Sequence, residues 1–156
     1  VSDRLHITFV CTGNICRSPM AQSIVTHAVA DAGLADQVLI DSCGTGSWHV
    51  GEPADDRARA ELRRVGYCDE HSAAVLGSEH VGADLLVALD RSHLQALSRK
   101  RLGDRARLLR SFDPAATEPD VADPYYGDQA DFTRVREQIE AAVPGLLDWI
   151  REQLAR

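Results

Sequence analysis

Leu5-His6-Ile7-Thr8-Phe9-Val10-Cys11-Thr12-Gly13-Asn14-Ile15-Cys16-Arg17-Ser18-Pro19 is the stretch on which the fold turns. Leu5 to Val10 alternates in part and is rich in β-branched and aromatic residues, so it reads as a buried strand running straight into Cys11. A turn containing Gly13 follows. Arg17-Ser18-Pro19 then carries helix-start signals, with Ser18 in a capping position and a proline tolerated in the first turn. Met20, Ile24, Val25 and Ala28 continue as an apolar helical face, and Gly33 is the expected stop.

The same strand-then-helix alternation recurs downstream. Val38 to Cys43 reads as a strand and Pro53 to Val65 as a helix, with Ala58, Leu62 and Val65 on one face. Ala83 to Leu89 is the most apolar strand, followed by a helix near Arg91 to Leu102 and a short strand at Ala106 to Leu109. A long loop from Ser111 to Gly127 is punctuated by Pro114, Pro119 and Pro124. The last helix, Asp131 to Leu154, should be kinked or divided at Pro144. Alternating strands and helices imply an α/β fold: one doubly wound domain over residues 1–156, with a central four-stranded parallel sheet and helices on both faces. In such sheets ligands bind beyond the carboxyl ends of the strands, where the strand order reverses, and Cys11 lies at such an end.

A chain of 156 residues can bury a core without crosslinks, and 44% hydrophobic with 26% charged residues is the composition of a globular protein. No apolar run approaches the roughly 20 residues of a membrane span, and the N-terminus lacks the residue order of a secretion signal. A cytoplasmic location is therefore expected, with signal-independent export left open. A formal net charge of −7 argues against a broad nucleic-acid footprint, so an anionic ligand must be attracted locally. The positive charge is concentrated in Arg91, Arg99, Lys100, Arg101, Arg105, Arg107 and Arg110, read mainly as a solvated helix face and secondarily as a docking patch for acidic segments. Cys11, Cys16, Cys43 and Cys68 lack zinc-site spacing, so neither a metal nor another cofactor is expected. Cys43 and Cys68 read as packing residues.

Cys11 through Ser18 is a strand-to-helix turn that opens with a thiol and closes with a guanidinium. Successive amide N–H groups of Thr12, Gly13, Asn14, Ile15 and Cys16 can converge into an anion nest, and the following helix adds its positive end. Arg17 can grip two phosphate oxygens at once. The helix end and Arg17 favour the thiolate form of Cys11, and Ser18 can donate its hydroxyl to the sulfur. Cys16 is close enough in sequence for oxidation to join it reversibly to Cys11.

This loop, together with Asp123-Pro124-Tyr125-Tyr126-Gly127, resembles the low molecular weight protein-tyrosine phosphatases. Ser42-Cys43-Gly44-Thr45, Leu89-Asp90 and Asp131-Phe132 extend the resemblance along the chain. Trp48-His49-Val50-Gly51 and Leu109-Arg110-Ser111-Phe112-Asp113 are most similar to the actinobacterial branch. From residue type alone, Asp113, Asp120, Asp123 and Asp128 are equal candidates for an acid in that loop. The resemblance selects Asp123 as general acid and base, Cys11 as nucleophile forming a phosphocysteine, and Arg17 as the clamp on phosphate. It also implies that Trp48, His49, Tyr125 and Tyr126 wall the pocket, and that Asn14, Ser18, Ser42 and His71 brace the loop. Asp90 is the candidate partner of Arg17.

The implied activity is metal-independent hydrolysis of phosphotyrosine monoesters on protein substrates, with phosphate as product inhibitor and no nucleic-acid or membrane partner. Arsenate reductases of this fold need two further cysteines, and residues 69–110 contain none. Protein-arginine phosphatases of similar sequence tend to have Thr where this chain has Ile15. An idle phosphotyrosine-binding module would be expected to lose Cys11, Arg17 or Asp123, and all three are present.

Overall fold

In the computed structural model, which describes residues 4–156, Leu5–Cys11 forms strand β1 and Arg17–Asp31 helix α1. The first three residues of the expected 1–156 unit lie outside the described residues. Strand β2 (Val38–Gly44), helix α2 (Asp56–Val65), the short helix α3 (Ser78–Val81) and strand β3 (Leu85–Ala88) follow. Helix α4 (Arg91–Arg99), strand β4 (Ala106–Leu108) and helix α5 (Gln129–Leu154) complete the order. All pairings are parallel, in the order β2-β1-β3-β4, so the expected four-stranded α/β sheet is present. The chain builds outward from β1 to β2, then crosses back to β3 on the other side. The reversal of strand order lies between β1 and β3, where β1 ends in Cys11.

Side-chain alternation along the strands feeds two cores. Ile7 and Phe9 of β1 join Leu85 and Val87 of β3 against Met20 and Ile24 of α1, Leu62 of α2, and Phe132 and Ile139 of α5. On the opposite face, Val10, Cys43, Leu86 and Ala88 pack with Leu97 of α4 and Leu102. Helices thus cover both faces. Buried within the α2–α5 seam, Glu61 accepts from Thr133 Oγ1 at 2.8 Å, Arg136 Nε at 2.5 Å and Arg64 Nη2 at 2.7 Å. Burial pushes its carboxyl upward, but these donors outweigh it and hold the group down at about 2.

Several boundaries differ from expectation for local reasons. Cys16, not Ser18, occupies the N-cap of α1, without a side-chain cap, because the Ser18 hydroxyl is turned inward toward Cys11. Helix α2 starts at Asp56 instead of Pro53, since Asp55 caps it by accepting from Arg57 N. Asp128 caps α5, moving its start to Gln129. The helix is also undivided at Pro144. Pro144 is exposed, so the hydrogen bond that its ring removes lies on the solvent side of the helix. The next residue, Gly145, permits close packing: a Cβ there would stand 2.0 Å from Phe112 O, in the turn Leu109–Phe112.

Candidate active site

At the carboxyl end of β1, Cys11 pairs with Gly44 of β2, whose lack of a side chain is required because a Cβ would lie 2.7 Å from Thr12 O. The chain then wraps through Thr12–Cys16 into α1. Asn14 adopts φ +57, a conformation that non-glycine residues enter only when other contacts fix it. Those contacts are present on every polar atom of its side chain. Nδ2 donates to Ser18 Oγ at 2.8 Å and Ser42 Oγ at 2.9 Å, and Oδ1 accepts from Ala74 N at 2.9 Å. Ser42 Oγ in turn donates to Gln22 Oε1 at 2.6 Å. His71 Nε2 lies 2.8 Å from Asn14 O, and burial lowers this imidazole below its ordinary value. The brace therefore links Asn14, Ser18, Ser42 and His71, with Gln22 as an additional member.

Cys11 Sγ lies 2.8 Å from Ser18 Oγ, and the thiol is almost wholly buried at the floor of a cleft of ≈ 440 Å³. Arg17 is buried beside it. Its Nη1 donates to Asp90 Oδ2 and to Val121 O, both at 2.7 Å, while Nη2 stands 3.8 Å from Asp123 Oδ2. Burial raises the Asp90 carboxyl, but hydrogen bonds from Ser92 and Arg17 outweigh it and hold the group at about 2. Asp90 is thus a permanent anion that orients the guanidinium. Cys16 is a buried free thiol on the cleft wall, pushed well above the ordinary thiol range by burial and then by the charge of Asp55. Cys43 is buried too, its thiol pushed up to about 12 by burial, as suits a packing residue. Cys68 is exposed, contrary to its expected packing role, because it falls on the loop after α2, beyond the core-facing residues of that helix.

Of the four candidate aspartates, only Asp123 lines the cleft. Asp113 Oδ1 accepts from Ala115 N, Asp120 pairs with Arg91 at 3.2 Å, and Asp128 caps α5. Asp123 is half-exposed, with Oδ1 accepting from Tyr125 N at 3.1 Å. Above the floor, Ile15, Tyr125 and Tyr126 face Trp48 and His49. The tyrosine rings meet edge to face at 5.0 Å, Tyr126 is 94% exposed and Trp48 72%. Trp48 folds over Gly46, and His49 packs on Gly13 while its Nδ1 pairs with Glu52 at 2.9 Å. A narrow anionic-group floor under flat apolar walls suits an aryl phosphate ester.

The family model for low molecular weight phosphotyrosine protein phosphatase matches residues 6–156. The chain belongs to this phosphatase family. It is 55% identical to low molecular weight protein-tyrosine phosphatase A of Mycobacterium tuberculosis, covering 100% of this chain and 98% of that protein. Low molecular weight protein-tyrosine-phosphatase of Streptomyces coelicolor is 48% identical, over 96% and 95% of the two chains. Among solved structures, a protein tyrosine phosphatase from Entamoeba histolytica superposes with a TM-score of 0.90 at 29% identity, covering 96% and 98%. The arginine phosphatase YwlE superposes with a TM-score of 0.84 at 28% identity, covering 94% and 95%.

Two residues of this phosphatase that sequence reasoning passed over hold the site from outside. Arg57 is paired twice with Asp55 at 3.0 Å and donates to Tyr125 O and Gly127 O, both at 2.9 Å. Its guanidinium also lies 4.5 Å from the centroid of Phe132. His93, buried at the start of α4, reaches Thr12. Neither contact has a local sequence signal, although the pattern Asp90, then His93 three residues on, marks a helix start. The basic run from Arg91 to Arg110 is less free than expected. Arg91 pairs with Asp120, Arg110 donates to Asp120 O, Arg105 to Val81 O and Ala83 O, and Arg107 lies over Phe112.

Proposed function

We propose that this protein hydrolyses phosphotyrosine on protein substrates through a phosphocysteine at Cys11, with Asp123 as acid and then base, residues 1–156 acting as one phosphatase domain. As a member of a phosphotyrosine protein phosphatase family it is a phosphoric monoester hydrolase. The observation that carries the residue assignment is the convergence of Cys11, Arg17 and Asp123 on one cleft floored by Thr12–Arg17. The Cys11 thiolate attacks phosphorus, the S–P bond forms as the P–O bond to the aryl group breaks, and the Asp123 carboxylic acid gives its proton to the departing oxygen. The Asp123 carboxylate then takes a proton from water as its oxygen attacks phosphorus. The S–P bond breaks, freeing phosphate and the thiolate. Arg17 and the loop amides hold the phosphoryl oxygens through both steps. Phosphate fits the same floor and is expected to inhibit as product.

Phosphoarginine, a phosphoramidate, is the competing substrate, given the structural likeness to an arginine phosphatase. Ile15 on the cleft wall, with Trp48 and the two tyrosine rings, offers apolar surface that suits a phenyl ring better than a charged, strongly hydrated guanidinium. Catalytic efficiency should therefore be higher on a phosphotyrosine peptide than on the matched phosphoarginine peptide; the reverse order would reassign the substrate. Rapid quenching followed by mass spectrometry should place phosphate on Cys11, and Cys11→Ser should abolish turnover while still binding phosphate. Asp123→Ala should slow a poor leaving group far more than an activated one. Label on another side chain would overturn the mechanism.

A further inference from the structure

A path of hydrogen bonds outside the cleft joins the first residue of the phosphate loop to its last. Asp90 N donates to His93 Nδ1 at 3.2 Å, so Nδ1 carries the lone pair. The ring proton must then sit on Nε2, which lies 2.9 Å from Thr12 Oγ1 and donates to it. Asp90 Oδ1 accepts from His93 N and Ser92 N, leaving Oδ2 for Arg17 Nη1 at 2.7 Å. Thr12, His93, Asp90 and Arg17 thus close a ring around the cleft, with α4 as its outer arc. Thr12 Oγ1, filled by the imidazole proton, keeps its own proton to donate, and Thr12 lines the cleft.

We propose that His93 is a positioning residue for phosphate hydrolysis: a neutral imidazole that fixes the Thr12 hydroxyl and, through Asp90, the Arg17 guanidinium. The charged groups around it are Arg17, Asp90, Asp120 and Asp123, with burial and then Arg17 opposing protonation and the three carboxylates favouring it. Burial and Arg17 prevail, placing His93 at about 4, so the ring stays neutral near pH 7. A protonated ring would lose its acceptor at Nδ1, breaking the bond from Asp90 N and setting a donor against Asp90 Oδ1, 3.3 Å away, in competition with the Ser92 and His93 amides that fix the helix start.

The inference rests on the reading of Cys11 as nucleophile, and its test separates the two. Long-range ¹H–¹⁵N spectra of the intact protein should show His93 neutral with the proton on Nε2 down to pH 5.5, whether or not the protein turns over substrate. An imidazolium at pH 6, or a proton on Nδ1, would overturn the proposal. In kinetics, His93→Asn keeps an acceptor for Asp90 N but cannot reach Thr12, and Thr12→Val removes the other end of the same bond. Each should lower kcat/KM on an aryl phosphate roughly tenfold, the scale of one lost positioned hydrogen bond, and the double variant should lose no more than either alone. Independent, multiplying losses would refute the coupling. Thr12 is at the surface, so Thr12→Val keeps the test decisive even if His93→Asn does not fold; unchanged kcat/KM in that variant would end the proposal. Failure of Cys11→Ser to silence the enzyme would instead sink the nucleophile assignment and leave the spectroscopic result standing.

Discussion

Asn14 shows what a single side chain contributes to this site. Its φ of +57 is held by bonds to Ser18, Ser42 and Ala74, and its carbonyl is met by His71. Replacement by Ala would leave two buried hydroxyls without their donor and keep a strained backbone, at about 2–4 kcal/mol in all. Asn14→Ala should therefore lower the melting temperature by roughly 5–15 °C and kcat by more than tenfold, read by calorimetry and by turnover of an aryl phosphate. The loop itself was legible in the sequence because its chemistry is local: a thiol, a turn glycine, a guanidinium and a hydroxyl within eight positions. Gln22 and His93 were not, because their partners Ser42 and Thr12 are distant in the chain and nothing in residue type announces the contact. The capping role expected of Ser18 failed for a related reason, since a hydroxyl near a helix start can turn toward the backbone or toward a neighbouring thiol, and only the fold decides which.

At the level of elements, the long segment from the turn Leu109–Phe112 to α5 is held in place by arginines rather than by helices or strands of its own. Arg17 and Arg110 bond the carbonyls of Val121 and Asp120, Arg91 the Asp120 carboxylate, and Arg57 the carbonyls of Tyr125 and Gly127. Val121 N also bonds Leu89 O, tying the segment to the end of β3. Arg57 is the anchor nearest Asp123 on its C-terminal side. Arg57→Ala should leave cleavage of p-nitrophenyl phosphate within about threefold of wild type while slowing phenyl phosphate at least tenfold, because only the poorer leaving group needs a well-placed acid. Arg57→Lys should restore little, since one ammonium cannot pair with Asp55 and reach two carbonyls. Equal slowing of both esters by Arg57→Ala would show that the anchor does not act through Asp123. Periodicity revealed the strands and helices well, but not this segment, whose order comes from contacts that span up to 104 positions.

For the whole molecule, the titrating groups set a window of stability. His93 has its ordinary value of 6.5 lowered to about 4 by burial and Arg17, so the unfolded chain takes up a proton first and stability falls as pH drops from 6.5 toward 4. Asp90 and Glu61, each held at about 2 by donors that outweigh burial, add losses below their ordinary values of 3.8 and 4.5. On the alkaline side, burial raises the Cys43 thiol from 9.0 to about 12 and the Tyr67 hydroxyl from 10.0 to about 12, so stability is full below pH 9 and declines above it. Melting temperature at constant ionic strength should be flat between about pH 6.5 and 9 and fall on both sides; a maximum near pH 5 would contradict these assignments. The parallel sheet legible from the alternating pattern takes the order β2-β1-β3-β4, which has a further consequence for synthesis. Strand β1, which ends in Cys11, pairs with residues 38–44 and 85–88, and the face it shares with α1 is covered by α5. No hairpin offers an early partner, so a chain emerging from the ribosome must deliver residues through α5 before Cys11 and Arg17 share a finished cleft with Asp123. Fragments that stop before α5 would thus lack the finished cleft, and activity would appear at once instead of growing with the nascent chain.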